Sequence, residues 1–201
     1  MIVQAIVEAV TRKPYRNVAN DLLWSPFGLD HCGIFSGLNP PDALAATNYK
    51  SADRSEPPFV YGVPAFMGMI GGFYMDAAGM FRVIDIVRKD RLLSSKGRET
   101  LLRPRFHGPG GEEGYALGGR TRAVLIAGGQ KTYMAESGNN LGFRALAYGL
   151  TDSPETVVML NNVSIDRDDM EPTAFRLLEA MVRGRMPVRV VVKQARGTGD
   201  L

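Results

Sequence analysis

Three observations on this 201-residue sequence predict an α+β fold in which an antiparallel β-sheet is flanked by helices. Apolar residues recur at helical spacing through the first half of the chain. After residue 110 the pattern changes to short alternating runs bounded by Gly, Asn, Asp or Pro, and a last helical stripe follows them. With 45% hydrophobic and 22% charged residues, the chain can bury one core. The expected organisation is a single domain over 1–201: a mainly helical and loop region over 1–110, a sheet and final helix over 111–184, and a tail over 185–201. No internal repeat interrupts it.

Taken in order, Ile2, Val3, Ile6, Val7 and Val10 form the apolar stripe of a first helix, which ends before Pro14 because proline biases its predecessor away from helix. Pro14 then suits the first turn of a second helix, whose apolar face is Tyr15, Val18, Ala19, Leu22 and Leu23. Residues 24–29 read as a turn, with Trp24 and Phe27 as a packed corner, and the Pro-, Asp-, Asn- and Ser-rich stretch 36–64 as an irregular surface excursion. Asp76 is placed to cap a helix from Ala77 to Lys89, with Met80, Phe81, Ile84 and Val87 as its buried stripe. A shorter helix begins near Ser94 or Ser95 and runs to about Leu102, ahead of Pro104, and Gly108 to Gly114 is a loop. Strands follow over Tyr115–Gly119, Arg122–Ala127, Lys131–Ala135, Phe143–Leu150 and Thr156–Leu160, close enough for a meander of hairpins. Pro172 starts a last helix with Ala174, Leu177, Leu178, Met181 and Val182 on one side, suited to cover one face of the sheet. Val188–Lys193 has the composition to extend as a strand.

Several function classes find no support. The net charge of +3 comes from scattered Lys and Arg interleaved with Asp and Glu, so no nucleic-acid partner is expected, and the basic tail Arg183, Arg185, Arg189, Lys193, Arg196 reads as solvated. No run approaches the roughly 18 apolar residues of a membrane span, and no signal-peptide pattern opens the chain, so the expectation is a cytoplasmic protein without a membrane partner. Cys32 is the single cysteine and reads as a buried spectator thiol. With His31 and His107 the only histidines, no metal set is expected, and no cofactor. Asp166, Asp168 and Asp169 lack the Gly and terminal Glu of a calcium loop and read as a solvated turn, while Gly108, Gly110 and Gly111 fail the dinucleotide pattern at Glu113. Met67, Met69, Met75 and Met80 around a glycine-rich turn read as core filler or pocket wall.

The most informative stretch is Glu136, Ser137, Gly138, Asn139, Asn140, Leu141, Gly142, Phe143, expected on an edge strand or at a strand's end, where backbone N–H groups are offered to a ligand. With Glu136 or His107 as base, Ser137 would still have no G-x-S-x-G elbow around it and no residue placed by sequence to orient His107, so it does not read as a nucleophile. Around this stretch several phrases keep a common order. "AIVEAVTRKPYRNVANDLLWSPFGLDHCGIF" is similar to a helix, KPY turn and PLGM segment; "GGFYMDAAGMFRVIDIV" to GGxxSTAxDLARF; "GYALGG" to GYGLGW; "ESGNNLGFRA" to HSGGNPGF; and "TVVMLNN" to VVVLSN. Together they resemble the C-terminal portion of the serine β-lactamase and penicillin-binding family, in its class C, esterase and D-peptidase branch, over about residues 2 to 183.

The resemblance implies an incomplete β-lactamase/transpeptidase-like fold and a serine hydrolase that cleaves esters or amides through an acyl-enzyme. It also implies that the substrate-binding residues are Glu136, Ser137, Gly138 and Asn139. Ser137 would face the substrate, Gly138 would let a backbone approach, and the Asn139 N–H would supply one of two oxyanion donors. The family's nucleophile and base come from S-x-x-K, followed by Y-x-N, and no Ser stands three residues before a Lys here. Thr47 to Lys50 resembles nothing in the family, and Tyr15, Arg16, Asn17 match the KPY turn rather than Y-x-N. No catalytic residue is therefore assigned, and the isolated chain is expected to be inactive. Glu136 stands where the family has Lys or His, so carboxylate-bearing β-lactams are disfavoured and a neutral or cationic ester or amide fits better, if the missing N-terminal part completes the pocket. Absent that part, an exposed sheet edge and an uncovered apolar face predict self-association. A non-catalytic binding or assembly module derived from this fold is the alternative.

Overall fold

The computed structural model describes residues 2–35, 45–53, 55–58, 62–64, 71–89, 92–108, 113–140 and 142–185. The readings placed on Met67, Met69, Leu141, 109–112, Val188–Lys193 and the basic tail beyond Arg185 lie outside these residues, as does much of the excursion 36–64.

Helix α1 (Ile2–Thr11) is followed after Pro14 by α2 (Tyr15–Ala19), which continues into a π turn (Asn20–Trp24) and a 3-10 turn (Ser25–Phe27) ended by Gly28 at φ 61°. The second helix is thus wider over its last turn than its periodicity predicts, and Leu22 stays exposed while Trp24 is buried edge-on against Phe73. A two-stranded sheet pairs β1 (Cys32–Ile34) with β2 (Phe73–Met75). Neither strand was legible, because each is three residues long and shows no full alternation. Cys32 lies in β1 and is half-buried rather than buried, its Sγ against the Leu29 carbonyl.

Asp76 caps α3 (Ala77–Arg88) as its extended backbone allows, its Oδ1 accepting from the Gly79 N–H at 2.6 Å. Ser94 does the same for α4 (Ser95–Leu102) through Gly97. On α3 the predicted stripe shifts by one position: Ile86 is buried, whereas Phe81 is exposed.

The six-stranded antiparallel sheet runs in simple order: β3 (Phe106–His107), β4 (Glu113–Ala116), β5 (Gly119–Ile126), β6 (Gly129–Asn140), β7 (Phe143–Leu150) and β8 (Thr156–Asn161). The predicted strand Tyr115–Gly119 is in fact the end of one strand and the start of the next, reversed at Leu117 and Gly118. Between β5 and β6 the two turn residues, Ala127 and Gly128, both have positive φ, the turn whose twist suits a two-residue hairpin. Strand β6 is far longer than the predicted Lys131–Ala135.

The last helix, α5 (Arg167–Val182), begins five residues before the predicted start at Pro172. Asp168 and Asp169 form its first turn instead of a loop, where their charge favours the helix N-terminus. Pro172 sits inside the helix, where it has no N–H to offer the Asp168 carbonyl.

The core lies between α5 and one face of the sheet. Met170, Ala174 and Leu178 meet Ile126, Tyr133, Ala135, Leu146, Tyr148, Leu150 and Val157. Tyr133, Tyr148 and Phe175 form a mutual aromatic cluster with centroids 4.9 to 5.4 Å apart, and the Tyr148 hydroxyl donates to Glu171. On the opposite face, Ile84 of α3 approaches Gly149 and Leu101 of α4 approaches Gly118. Arg88 ties this layer to β8 by donating to the Thr156 hydroxyl at 2.6 Å.

One apolar surface has no cover. The stripe of α1 is exposed, with Ile2 and Val10 both at 78%. Among the described residues no helix is long and apolar enough to cross a membrane.

Leu178 is fully buried at the centre of the core. Leu178→Ala is expected to destabilise the fold by about 3 kcal/mol, measured by urea denaturation; Leu22→Ala, at an exposed position, is the control expected to change little.

Candidate active-site strand

Strand β6 pairs with β7 along most of its length, from Tyr133↔Leu150 to Asn140↔Phe143, but with β5 only from Gly129 to Ala135. The strand is therefore interior at its start and an edge at its end, since β5 begins at Gly119 and the hairpin turns away. Glu136, Ser137, Gly138 and Asn139 occupy that unpaired end.

The strand's period of two determines which groups face the opening. The Ala135 carbonyl points toward β5, lying 2.9 Å from where a Cβ on Gly119 would stand. Two and four residues on, the backbone groups of Ser137 and Asn139 aim the same way, into space that no residue of β5 fills. Side chains alternate across the sheet at right angles to this. Ser137 and Asn139 share the face of the buried Tyr133 and Ala135, and Glu136 and Gly138 share that of Met134.

Glu136 is half-buried and held at two points. Its Oε1 accepts from the Tyr115 hydroxyl at 2.6 Å, and its Oε2 accepts from the Ser137 N–H at 3.3 Å. Its stem passes over Gly119, whose φ is +138° and where a Cβ would come within 3.0 Å of Glu136 Cγ. Among the described residues Glu136 has no ion-pair partner. The hydrogen bond to Glu136 raises the pKa of Tyr115, with burial adding and Arg120 opposing. Arg120 lies largely buried beside this group, 3.4 Å from Glu113, with its Nη2 unpartnered. Asn140 closes the strand's end by donating to the Gly71 carbonyl at 3.3 Å.

Ser137 is exposed, and its hydroxyl makes no hydrogen bond among the described residues. His107 lies on β3, at the far edge of the sheet, paired with Gly114. Among the described residues no base stands against Ser137. Tyr115 is the site residue that sequence reasoning missed as a partner of Glu136; only the register of the β4–β5 hairpin brings it there. Among the described residues no group of three or more His, Cys, Asp and Glu converges as a metal site would require.

A broad concavity lies elsewhere. About 710 Å³ opens between α2 and β1, lined by residues such as Arg16, Trp24, Cys32 and Tyr74. Burial, with Asp30 and Asp76, pushes the Cys32 thiol up, away from the thiolate a nucleophile needs, and none of Glu136 to Asn139 lines this space. Volume alone does not mark the chemistry.

A family model described as Beta-lactamase matches residues 1–181. The chain belongs to the beta-lactamase family. No curated protein sequence matches it. Similar solved structures include the D-amino acid amidase from Ochrobactrum anthropi SV3 complexed with L-phenylalanine amide, at TM-score 0.73 and 15% identity over 92% of this chain and 56% of that one. The penicillin binding protein from Bacillus halodurans superposes at TM-score 0.69 and 20% identity over 91% and 53%. A Beta-Lactamase/D-Alanine Carboxypeptidase from Pseudomonas syringae does so at 0.71 and 13% over 89% and 56%. The chain thus spans about half the length of these proteins and shares their fold: helices against an antiparallel sheet, here an incomplete β-lactamase/transpeptidase-like fold.

For Tyr115, the neutral phenol is the hydrogen-bonding form. Its stabilising effect is complete below the unfolded tyrosine value of about 10 and is lost as pH rises through the higher folded value. In Glu136→Gln the Tyr115 ring is expected to titrate closer to an ordinary tyrosine, read by ring-carbon NMR; an unchanged titration would remove Glu136 as the cause.

Proposed function

We propose that this chain is the C-terminal half of an acyl-transfer pocket in a serine hydrolase of the beta-lactamase family, acting on esters or amides through an acyl-enzyme. The observation that carries it is the unpaired end of β6. There Ser137 and Asn139 turn backbone groups outward at a strand that is rigidly backed by β7, and an N–H so fixed can stabilise a developing oxyanion without reorganising. Glu136, Ser137, Gly138 and Asn139 are the substrate-binding residues. Gly138, lacking a side chain, allows a substrate backbone close approach.

Turnover needs a nucleophile, its base and a second oxyanion donor. The sequence carries no S-x-x-K, and Ser137 has no base, so the chain by itself binds without hydrolysing. The 201-residue protein is expected to hydrolyse p-nitrophenyl acetate no faster than Ser137→Ala and to leave a fluorophosphonate serine probe unreacted. Hydrolysis abolished by Ser137→Ala, with the probe mapped to Ser137, would overturn this assignment.

A second role, as an assembly module, is favoured by two uncovered surfaces. These are the apolar stripe of α1 and the outer edge of β8, which has no strand partner over Thr156–Asn161 among the described residues. Self-association is the expected result. Size-exclusion chromatography with light scattering is expected to give oligomers that Ile6→Glu disperses, and a stable wild-type monomer would remove this role.

A further inference from the structure

We infer that the β6 pocket selects substrates bearing an ammonium group two peptide-lengths from the reacting carbonyl, with Glu136 as its counter-ion. This rests on the reading of the β6 edge as the acyl-binding strand. It goes beyond it by assigning the charge and spacing of the substrate.

Charge comes first. Glu136 is a carboxylate at the open end of β6 with no ion-pair partner among the described residues, and each oxygen accepts one hydrogen bond, from Tyr115 and from the Ser137 N–H. A carboxylate has about four acceptor positions, so two remain for a ligand. A cation brought there gains charge-assisted hydrogen bonds, whereas a ligand carboxylate meets repulsion.

Rigidity follows. A flexible surface carboxylate would discriminate little, because ordering it costs side-chain entropy. Here the tyrosine hydroxyl and the strand backbone have already ordered it, and its stem rests over Gly119.

Spacing is dictated by the strand. The Glu136 carboxylate is fixed beside the Ser137 N–H, and the oxyanion donor is the Asn139 N–H, two residues further on. At about 3.4 Å per residue, the ammonium and the carbonyl oxygen stand roughly 7 Å apart along the edge. An α-ammonium is too close to its own carbonyl to reach both. An amide or ester with an ammonium at the end of a three- or four-carbon chain spans the distance.

Three small amides of matched length test this on the full 201-residue protein: N-acetylputrescine, cationic; N-butylacetamide, neutral; and 4-acetamidobutanoate, anionic. Binding is read from the amide NMR shifts of residues 136–140 and of Tyr115. The cation is expected to bind at least fivefold more tightly than the neutral amide, with the anion weakest, and 0.5 M salt should shrink the ratio. In Glu136→Gln the cation should lose its preference and bind no more tightly than the neutral amide. Equal binding of all three at the β6 edge would overturn the ammonium assignment and leave the acyl-binding strand standing, as would a cation preference unaffected by both salt and Glu136→Gln. Absence of shifts on β6 with every ligand would overturn both. The salt series on the wild-type protein decides the matter even where the variant does not fold.

Discussion

The site depends on Ala135 being the last residue of β6 with a strand on each side. Up to that residue the backbone is saturated by two neighbours, and beyond it the strand is held by β7 alone. A free edge is usually a liability that proteins shorten or cover. Here it is short, backed by a long hairpin, and flanked by a carboxylate, so outward N–H groups are fixed in place without offering a long template for other strands.

The layers on either side maintain that backing. Helix α5 and the cluster Tyr133, Tyr148, Phe175 fill one face, while α3 and α4 lie on the other and are tied to the sheet through Arg88 and Thr156. Burial raises the Tyr148 pKa strongly, with its bond to Glu171 adding, so the hydroxyl is a permanent donor across the ordinary pH range. The part of the molecule that bears the candidate site is thus well packed. The part made by α1, by contrast, leaves its apolar stripe exposed.

Much of this was legible in the order of residues, for identifiable reasons. Asp76 and Ser94 mark helix starts by local chemistry that tertiary packing does not override, and the apolar side of α5 was plain from period alone. Strand lengths were harder. Residues 136–140 carry polar and glycine side chains with no apolar alternation, so pattern reading ended β6 at Ala135. Pro172 misled in the opposite sense: proline suits a helix's first turn, yet the acidic residues before it extend the helix toward the N-terminus. Tyr115 could not be paired with Glu136 from sequence, since the two are 21 positions apart and are joined by a hairpin register.

Gly119 shows how such a site can be lost unseen. It contributes no polar atom, yet any side chain there would press on the Ala135 carbonyl and on the stem of Glu136, and its backbone angle is one that other residues resist. A lineage could keep Tyr115, Glu136 and the whole strand letter for letter and still displace the Glu136 carboxylate through one codon change at the neighbouring hairpin.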